Sequence, residues 1–178
     1  MNNIIEEVYG FYKIIKLANL RRTIGVKFDV FPPSLIPKID AVDRVIHINN
    51  AVSPGEVENV KRPWYMHPYQ DDNLIVLHGT RNVDIYSVEY SRVENFIVTP
   101  DSIIKNGKLI YEGGAVLVWP RHVFHRIISG AEGSASLNLA THYKGFSIEN
   151  NFNIYDLDTK TGKYRTIREG FLDQKRIK

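Results

Sequence analysis

From Arg44 to Tyr143 the sequence is a succession of short apolar runs separated by turn residues: "RVIHI", "PWYMH", "LIVLHG", "NVDIYSV", "NFIVTP", "KLIYEGG", "AVLVWP", "VFHRIIS" and "SASLNLATHY". These nine runs begin roughly 8 to 16 residues apart, and no 3.6-residue period separates them. Such punctuation describes an all-β sandwich or barrel and excludes a βαβ arrangement, which needs helical segments between its strands. "KNGK" at 105–108 predicts a tight hairpin, because Asn and Gly accept the positive φ that a two-residue turn demands.

The flanks read differently. Over residues 3–20, Ile4, Ile5, Val8, Phe11, Tyr12, Ile15 and Leu20 recur at spacings of three and four, which predicts an amphipathic helix that lids the core, weakened by Gly10. "IGVKFDVF" then alternates as a strand and is stopped by the double proline of "FPPS". At the other end, "NIYDLDTKTGKYRTIREGF" suggests a hairpin turning on Thr161 and Gly162. The expected organisation is an N-terminal helix and leading strand over 1–44, a barrel core over 45–143 and a C-terminal extension over 144–178, all within one domain.

Composition narrows the chemistry. At 178 residues the chain buries close to ~70% of its unfolded surface without staples. With no cysteine there is no thiolate, so any metal must sit on His, Asp, Glu or Tyr. The net charge of +3 is unevenly spread: residues 159–178 hold seven of the 23 basic and two of the 20 acidic side chains, which leaves 16 against 18 elsewhere. A basic tail on a slightly acidic body argues against a nucleic-acid reader. Glu6 and Glu7 stand where a secretory signal would be basic, and no segment approaches the ~18 apolar residues of a membrane helix. The expectation is a cytoplasmic protein with no nucleic-acid or membrane partner.

Two segments concentrate chemistry-bearing side chains. In "WYMHPYQDDNLIVLHG" a strand would put Tyr65, His67 and Tyr69 on one face and Trp64, Met66 and Pro68 on the other, with Pro68 holding His67 extended. In "GAVLVWPRHVFHRIISG", Val123, His125 and Ile127 share a face, so a polar imidazole sits among apolar neighbours. These segments resemble the paired motifs of the cupin superfamily, G-x5-H-x-H-x3–4-E-x6-G and G-x5-P-x-G-x2-H-x3-N. Tyr65 and His67 fall in the two histidine slots, Asp72 in the glutamate slot and Gly79 in the closing glycine slot; Gly114, Pro120 and His125 match the second motif. Asn59, Tyr65, Asp72, His122 and Ser129 depart from the pattern, and the resemblance spans residues 45–143. A slipped register would place His67, Tyr69 and Asn73 in the histidine and acid slots instead.

The resemblance implies a double-stranded β-helix, the cupin or jelly-roll barrel, with a mononuclear site for Fe, Mn, Ni or Zn on His67, Asp72 and His125. Two imidazoles and one carboxylate form a facial set that leaves positions open for substrate. Tyr65, beside them, is the candidate catalytic residue, as a general acid, a hydrogen bond to bound substrate or a fourth ligand. The expected ligand is a small polar molecule, and the function a metal-dependent oxygenase or isomerase; a non-catalytic binder and a metal-independent sugar isomerase or epimerase stay open as alternatives. Asp71 reads as a turn cap, His78 as exposed, Arg121, His122 and Arg126 as surface groups, and Trp64, Met66, Trp119 and Phe124 as packing. Open sheet edges and the tail predict a homodimer.

Overall fold

The computed structural model describes residues 3–174. In chain order its strands are β1 (Ile4–Val8), β2 (Tyr12–Lys16), β3 (Ala18–Thr23), β4 (Val26–Val30), β5 (Ala41–His47), β6 (Val52–Ser53), β7 (Trp64–Met66), β8 (Gln70–Ser87), β9 (Arg92–Thr99), β10 (Ser102–Lys105), β11 (Lys108–Glu112), β12 (Ala115–Trp119), β13 (Phe124–His142), β14 (Ile154–Leu157) and β15 (Tyr164–Arg168). The fold is all-β, as the punctuated pattern predicts. The basic tail extends past residue 174, so its last four positions lie outside the described residues.

Two long antiparallel strands, β8 and β13, run through the barrel and bend together. "LIVLHG" and "NVDIYSV", expected as separate strands, are the two halves of β8, and "VFHRIIS" and "SASLNLATHY" are the two halves of β13. The ladder pairs Phe124 with Tyr86 through Ser129 with Arg81, shifts register, and resumes from Ser134 with Gly79 to His142 with Gln70. At the crossing Gly79 has φ +69° and Gly133 φ +75°, and a Cβ on Gly79 would stand 2.1 Å from the Gly133 carbonyl oxygen. Only glycine fits, because backbone occupies the space a side chain would need. The chain bends there without breaking the ladder.

Beside the crossing the pairing shifts again, from Ala135 with His78 to Ser136 with Val76, leaving Leu77 as a bulge; the bulge changes which face each residue meets, since an unbroken strand sends alternate residues to opposite faces. On β8 the cavity-lining positions are even before the crossing, Gln70, Asp72 and Leu74, and odd after it, Arg81. On β13 they pass from His125 and Ile127 to Ser136 and Asn138. Outer strands complete the barrel: β12 on the first half of β8, β9 on its second half, and β5, β6 and β7 along β13.

The N-terminal helix is not formed. Residues 4–16 make a hairpin, β1 with β2, turning at Gly10 with φ +71°, and β2 pairs on its far side with β12. The reason lies in burial. Tyr12 and Ile14 face one core with Phe96 and Leu117, while Ile15 faces another with Val116 and Leu139. A strand covered on both sides needs apolar residues at consecutive positions, and "FYKII" then imitates a helical spacing. Each such side chain contributes about 1.5–3 kcal/mol on burial, which outweighs a helical preference already weakened by Gly10.

Both predicted turns form. Asn106 and Gly107 carry φ of 50° and 78° between β10 and β11, and Gly162, with φ 73°, closes the β14–β15 hairpin by donating its N–H to the Asp158 carbonyl. "IGVKFDVF" supplies β4, which pairs with β3 as a separate two-stranded ribbon. Among the described residues no helix is long and apolar enough to cross a membrane.

Candidate active site in the barrel

Strand β7 delivers Tyr65, and His67 follows it directly; β8 carries Asp72 and β13 carries His125. Antiparallel pairing sets Tyr65 opposite His125 and Trp119 opposite Asp72. Residues equivalent in these ladders share a face, so the four side chains meet in one cavity of about 330 Å³ that Trp119 and Phe152 wall. The ring centroids of His67 and His125 are 4.8 Å apart, and that of Tyr65 lies 5.9 Å from His125.

The donors converge on one oxygen. Asp72 Oδ2 is 3.2 Å from His67 Nε2 and 3.8 Å from His125 Nε2. The other carboxylate oxygen, Oδ1, accepts N–H bonds from Gln70 Nε2 and Asn138 Nδ2, each at 2.7 Å. His67 Nδ1 donates to the Asn151 carbonyl, which fixes the ring and turns Nε2 towards Asp72. Asn151 Nδ2 in turn donates to Gln70 Oε1 at 3.1 Å. All three site residues are buried, with 4–5% of their surface exposed.

Burial and mutual charge set the protonation states. Burial pulls His67 down, but the Asp72 carboxylate and the Asn151 carbonyl prevail and hold it above the usual imidazole range. Burial likewise opposes ionisation of Asp72, yet His67, His125 and Gln70 keep its carboxyl far below the normal range. His125 is driven down to about 3, first by burial and then by the neighbouring His67 cation. The site therefore holds an ion pair beside a neutral imidazole. Burial pushes the Tyr65 phenol up, so it stays protonated and able to donate.

The same donors suit a divalent metal. Ligand atoms bound at roughly 2.0–2.2 Å lie about 3 Å apart, and the three candidate donor atoms are within 4.8 Å of one another. His67 and Asp72 are already near that spacing, and a small movement of the His125 ring would bring in the third. The backbone carbonyl on His67 Nδ1 and the amides on Asp72 Oδ1 are the outer partners by which proteins aim metal ligands.

The barrel turns Tyr65, His67, Asp72 and His125 inward, as in the unslipped register. Asn73, the acid of the slipped register, turns away and donates its side-chain N–H to the Leu139 carbonyl. Asp71 also faces out, accepting from the Arg121 N–H and the Tyr143 hydroxyl. His78 and His122 are exposed, Arg121 lies over the Tyr143 ring, and Arg126 pairs with Asp84 at 2.9 Å and covers Trp64. Trp64, Met66 and Phe124 pack together, whereas Trp119 lines the cavity.

Several residues that line the cavity, and Asn151 that holds His67 and Gln70 from behind it, have no place in the two motifs. Gln70 was readable by alternation from Asp72. Asn151 and Phe152 come from the C-terminal extension, beyond the span of the resemblance, and no local pattern marks them. Asp43 and His47 follow from the alternation of β5 once its inward face is known, and Arg81 only from the parity switch at the Leu77 bulge.

No family model matches the chain, and no curated protein matches its sequence. Solved structures do share its shape. A sugar 3,4-ketoisomerase from Thermoanaerobacterium thermosaccharolyticum in complex with TDP aligns at TM-score 0.53 and 16% identity, over 77% of this chain and 84% of its own. The TDP-quinovose 3,4-ketoisomerase of Campylobacter jejuni aligns at 0.52 and 14%, over 75% and 88%. A 3,4-ketoisomerase from Helicobacter canadensis aligns at 0.54 and 12%, over 75% and 85%. With the motif positions of residues 65–79 and 114–125 lying on paired strands around one cavity, the chain has the cupin fold.

Proposed function

We propose that the barrel cavity is the active site of an isomerase that moves a carbonyl along a small polar molecule of the sugar type. The observation that carries this reading is the buried convergence of His67 Nε2, Asp72 Oδ2 and His125 Nε2 beside the Tyr65 phenol. The fold shared with sugar ketoisomerases supports it. Shifting a carbonyl to the adjacent hydroxyl-bearing carbon requires a base that takes the proton from that carbon and an acid that protonates the carbonyl oxygen, giving an enediol; the neighbouring hydroxyl then gives up its proton and one returns to the former carbonyl carbon. His125 is neutral, with its Nε2 on the cavity side of the cluster, and is the base; Tyr65 stays protonated and is the acid. The His67–Asp72 pair positions the cluster and supplies fixed charge in a buried site that Trp119 and Phe152 help to line.

The His67, Asp72 and His125 donors also fit a divalent transition metal, which when bound would polarise a carbonyl oxygen and acidify bound water. In that version Tyr65 remains the proton donor and the three donors act as ligands. Proton exchange in deuterated water, read by NMR on a panel of keto sugars and their nucleotide-linked forms, tests the reading. Exchange that Tyr65→Phe and His125→Gln each lower by about 10²–10⁴-fold supports it; no exchange on any member of the panel, with or without added metal, overturns it. Elemental analysis of protein purified without chelator, against a His67→Ala control, decides between proton and metal.

A homodimer fits two surfaces left uncovered. The β3–β4 ribbon exposes Leu20 at 62% and Phe28 at 50%, and the outward face of β5 exposes Val42 at 59% and Ile46 at 50%. Two-fold symmetry lets the ribbon of each copy cover the β5 face of the other. Light scattering that reads a dimer, converted to monomer by Phe28→Asp with Ile46→Asp, is the expected result; a monomeric wild type removes the proposal.

A further inference from the structure

Past the Gly79–Gly133 crossing, the cavity wall carries an arginine with no acid. Arg81 is 2% exposed. Its Nε donates to Ser134 Oγ at 3.2 Å and its Nη2 to the Val45 carbonyl at 3.3 Å, both neutral acceptors. No carboxylate among the described residues forms an ion pair with it, and burial alone pulls its pKa down to about 10. A guanidinium has five N–H groups, so three are uncommitted, including both on Nη1. Burying a charge without a partner is among the most costly arrangements a core can hold.

The surroundings of Arg81 are unsatisfied as well. His47 Nδ1, Ser136 Oγ and Trp119 Nε1 are buried without a hydrogen-bond partner, and all three residues line the same cavity. His47 is held down to about 4, by burial and then by Arg81, so it is a neutral donor at physiological pH. The cavity's further acid, Asp43, does not answer Arg81. It accepts from Asn138 Nδ2 at 3.1 Å, on the amide that also bonds Asp72, and burial raises its pKa. Three groups without a partner thus line this cavity beside a buried cation that has only neutral acceptors for two of its five N–H groups.

We infer that Arg81, with His47 and Ser136, forms an oxyanion subsite, so that the molecule held in this cavity carries a carboxylate or phosphate group. Both offer paired oxygens that a planar guanidinium grips through two parallel N–H bonds. A cavity of about 330 Å³ suits a molecule of monosaccharide size. That this molecule is also the one turned over rests on the isomerase reading; that it binds does not.

Calorimetry on the full chain tests the subsite with four probes: D-glucuronate, D-glucose 6-phosphate, inorganic phosphate and neutral D-glucose. The expected result is that at least one of the two acidic sugars binds at least tenfold more tightly than glucose. Glucuronate alone would name a carboxylate; glucose 6-phosphate, with or without phosphate, a phosphoryl group. Arg81→Met, which removes an unpaired buried charge at similar length, should melt no lower than wild type and lose the preference for the acid. Should it fail to fold, Arg81→Lys keeps the charge without the fork and should weaken acid binding at least tenfold. Equal affinity for glucose and the acidic sugars, no binding of either acidic sugar by wild type, or undiminished acid binding in the variant that folds would overturn the subsite. Acid binding without proton exchange would instead leave the subsite standing and sink the isomerase reading.

Discussion

Asp72 and Arg81 lie on one strand, line one cavity and are 4% and 2% exposed, yet their surroundings differ. Asp72 has two imidazoles at one oxygen and two amide N–H donors at the other. Arg81 has a hydroxyl and a carbonyl, and no charge of opposite sign. The first charge is satisfied within the chain and serves to hold neighbouring groups in place. The second is left for something that arrives. A barrel can hold both because a fully paired charge is compatible with a rigid core, while an unpaired one is stable only as a small debit against the whole fold.

The comparison depends on the two side chains reaching the same cavity. Positions 72 and 81 differ in parity, so on an uninterrupted strand they would face opposite sides of the sheet. The switch is the bulge at Leu77, two residues before the Gly79–Gly133 crossing. Gly79→Ala attacks that crossing and carries the largest expected effect: a residue with φ +69° whose new Cβ meets a carbonyl oxygen at 2.1 Å. A loss on the order of 4 kcal/mol or more is expected in urea denaturation, or failure to fold. Gly25→Ala is the control, with φ +74° but nothing within 4 Å of its Cβ, and should cost only about 1–2 kcal/mol. Equal losses at the two sites would mean that the crossing is not a close approach.

The next effect separates the paired charges by pH. Burial and then the His67 cation hold His125 down to about 3 in the folded chain, against the ordinary imidazole value of 6.5, and chelator-treated protein reports this without a metal. Between these values the unfolded chain holds a proton that the native site refuses, so stability should fall as pH drops from 6.5 towards 3, by at most about 1.4 kcal/mol per pH unit. His67 is shifted the other way, its contribution present below 6.5 and lost as pH rises through its elevated value. Asp72 contributes above the ordinary carboxylate range and loses that only as pH falls through its depressed value. His125→Gln should therefore flatten the slope of unfolding free energy between pH 4 and 6.5 by up to one proton. A slope unchanged by the substitution would remove His125 as the neutral member of the cluster.

How far these features were legible follows the range of the signals that encode them. Alternation and turn chemistry are local, so most strands of 44–143 and the "KNGK" hairpin could be read directly, while the set of Tyr65, His67, Asp72 and His125 came from the motif resemblance, since alternation from Tyr65 and His67 would have pointed to Asp71. β2 misled because a strand buried on both faces loses its alternation, and only its neighbours β1 and β12 reveal that it is one. Arg81 escaped for the opposite reason: its own surroundings look like an ordinary surface strand, and its inward turn is decided by a bulge at Leu77 that shows only in the pairing of β8 with β13. Asn151 closes the site from a loop whose only instruction is tertiary.

Exposed charges set the baseline for both buried ones. Lys27 Nζ lies 2.8 Å from Asp101 Oδ1 and ties the β3–β4 ribbon to the β9–β10 turn, with the two side chains 64% and 65% exposed. Water screens such a pair and two flexible side chains lose freedom to form it, so Lys27→Ala should cost less than about 1 kcal/mol, and the difference should vanish in molar salt. This is the smallest effect expected here, and it sharpens the contrast because the distance is as short as those around Asp72. Separation alone cannot then account for what a charge contributes; the medium around it does. A loss well above that limit, or one that persists in high salt, would show that the ribbon docks on the barrel through this pair and that depth is not what divides the charges of this molecule.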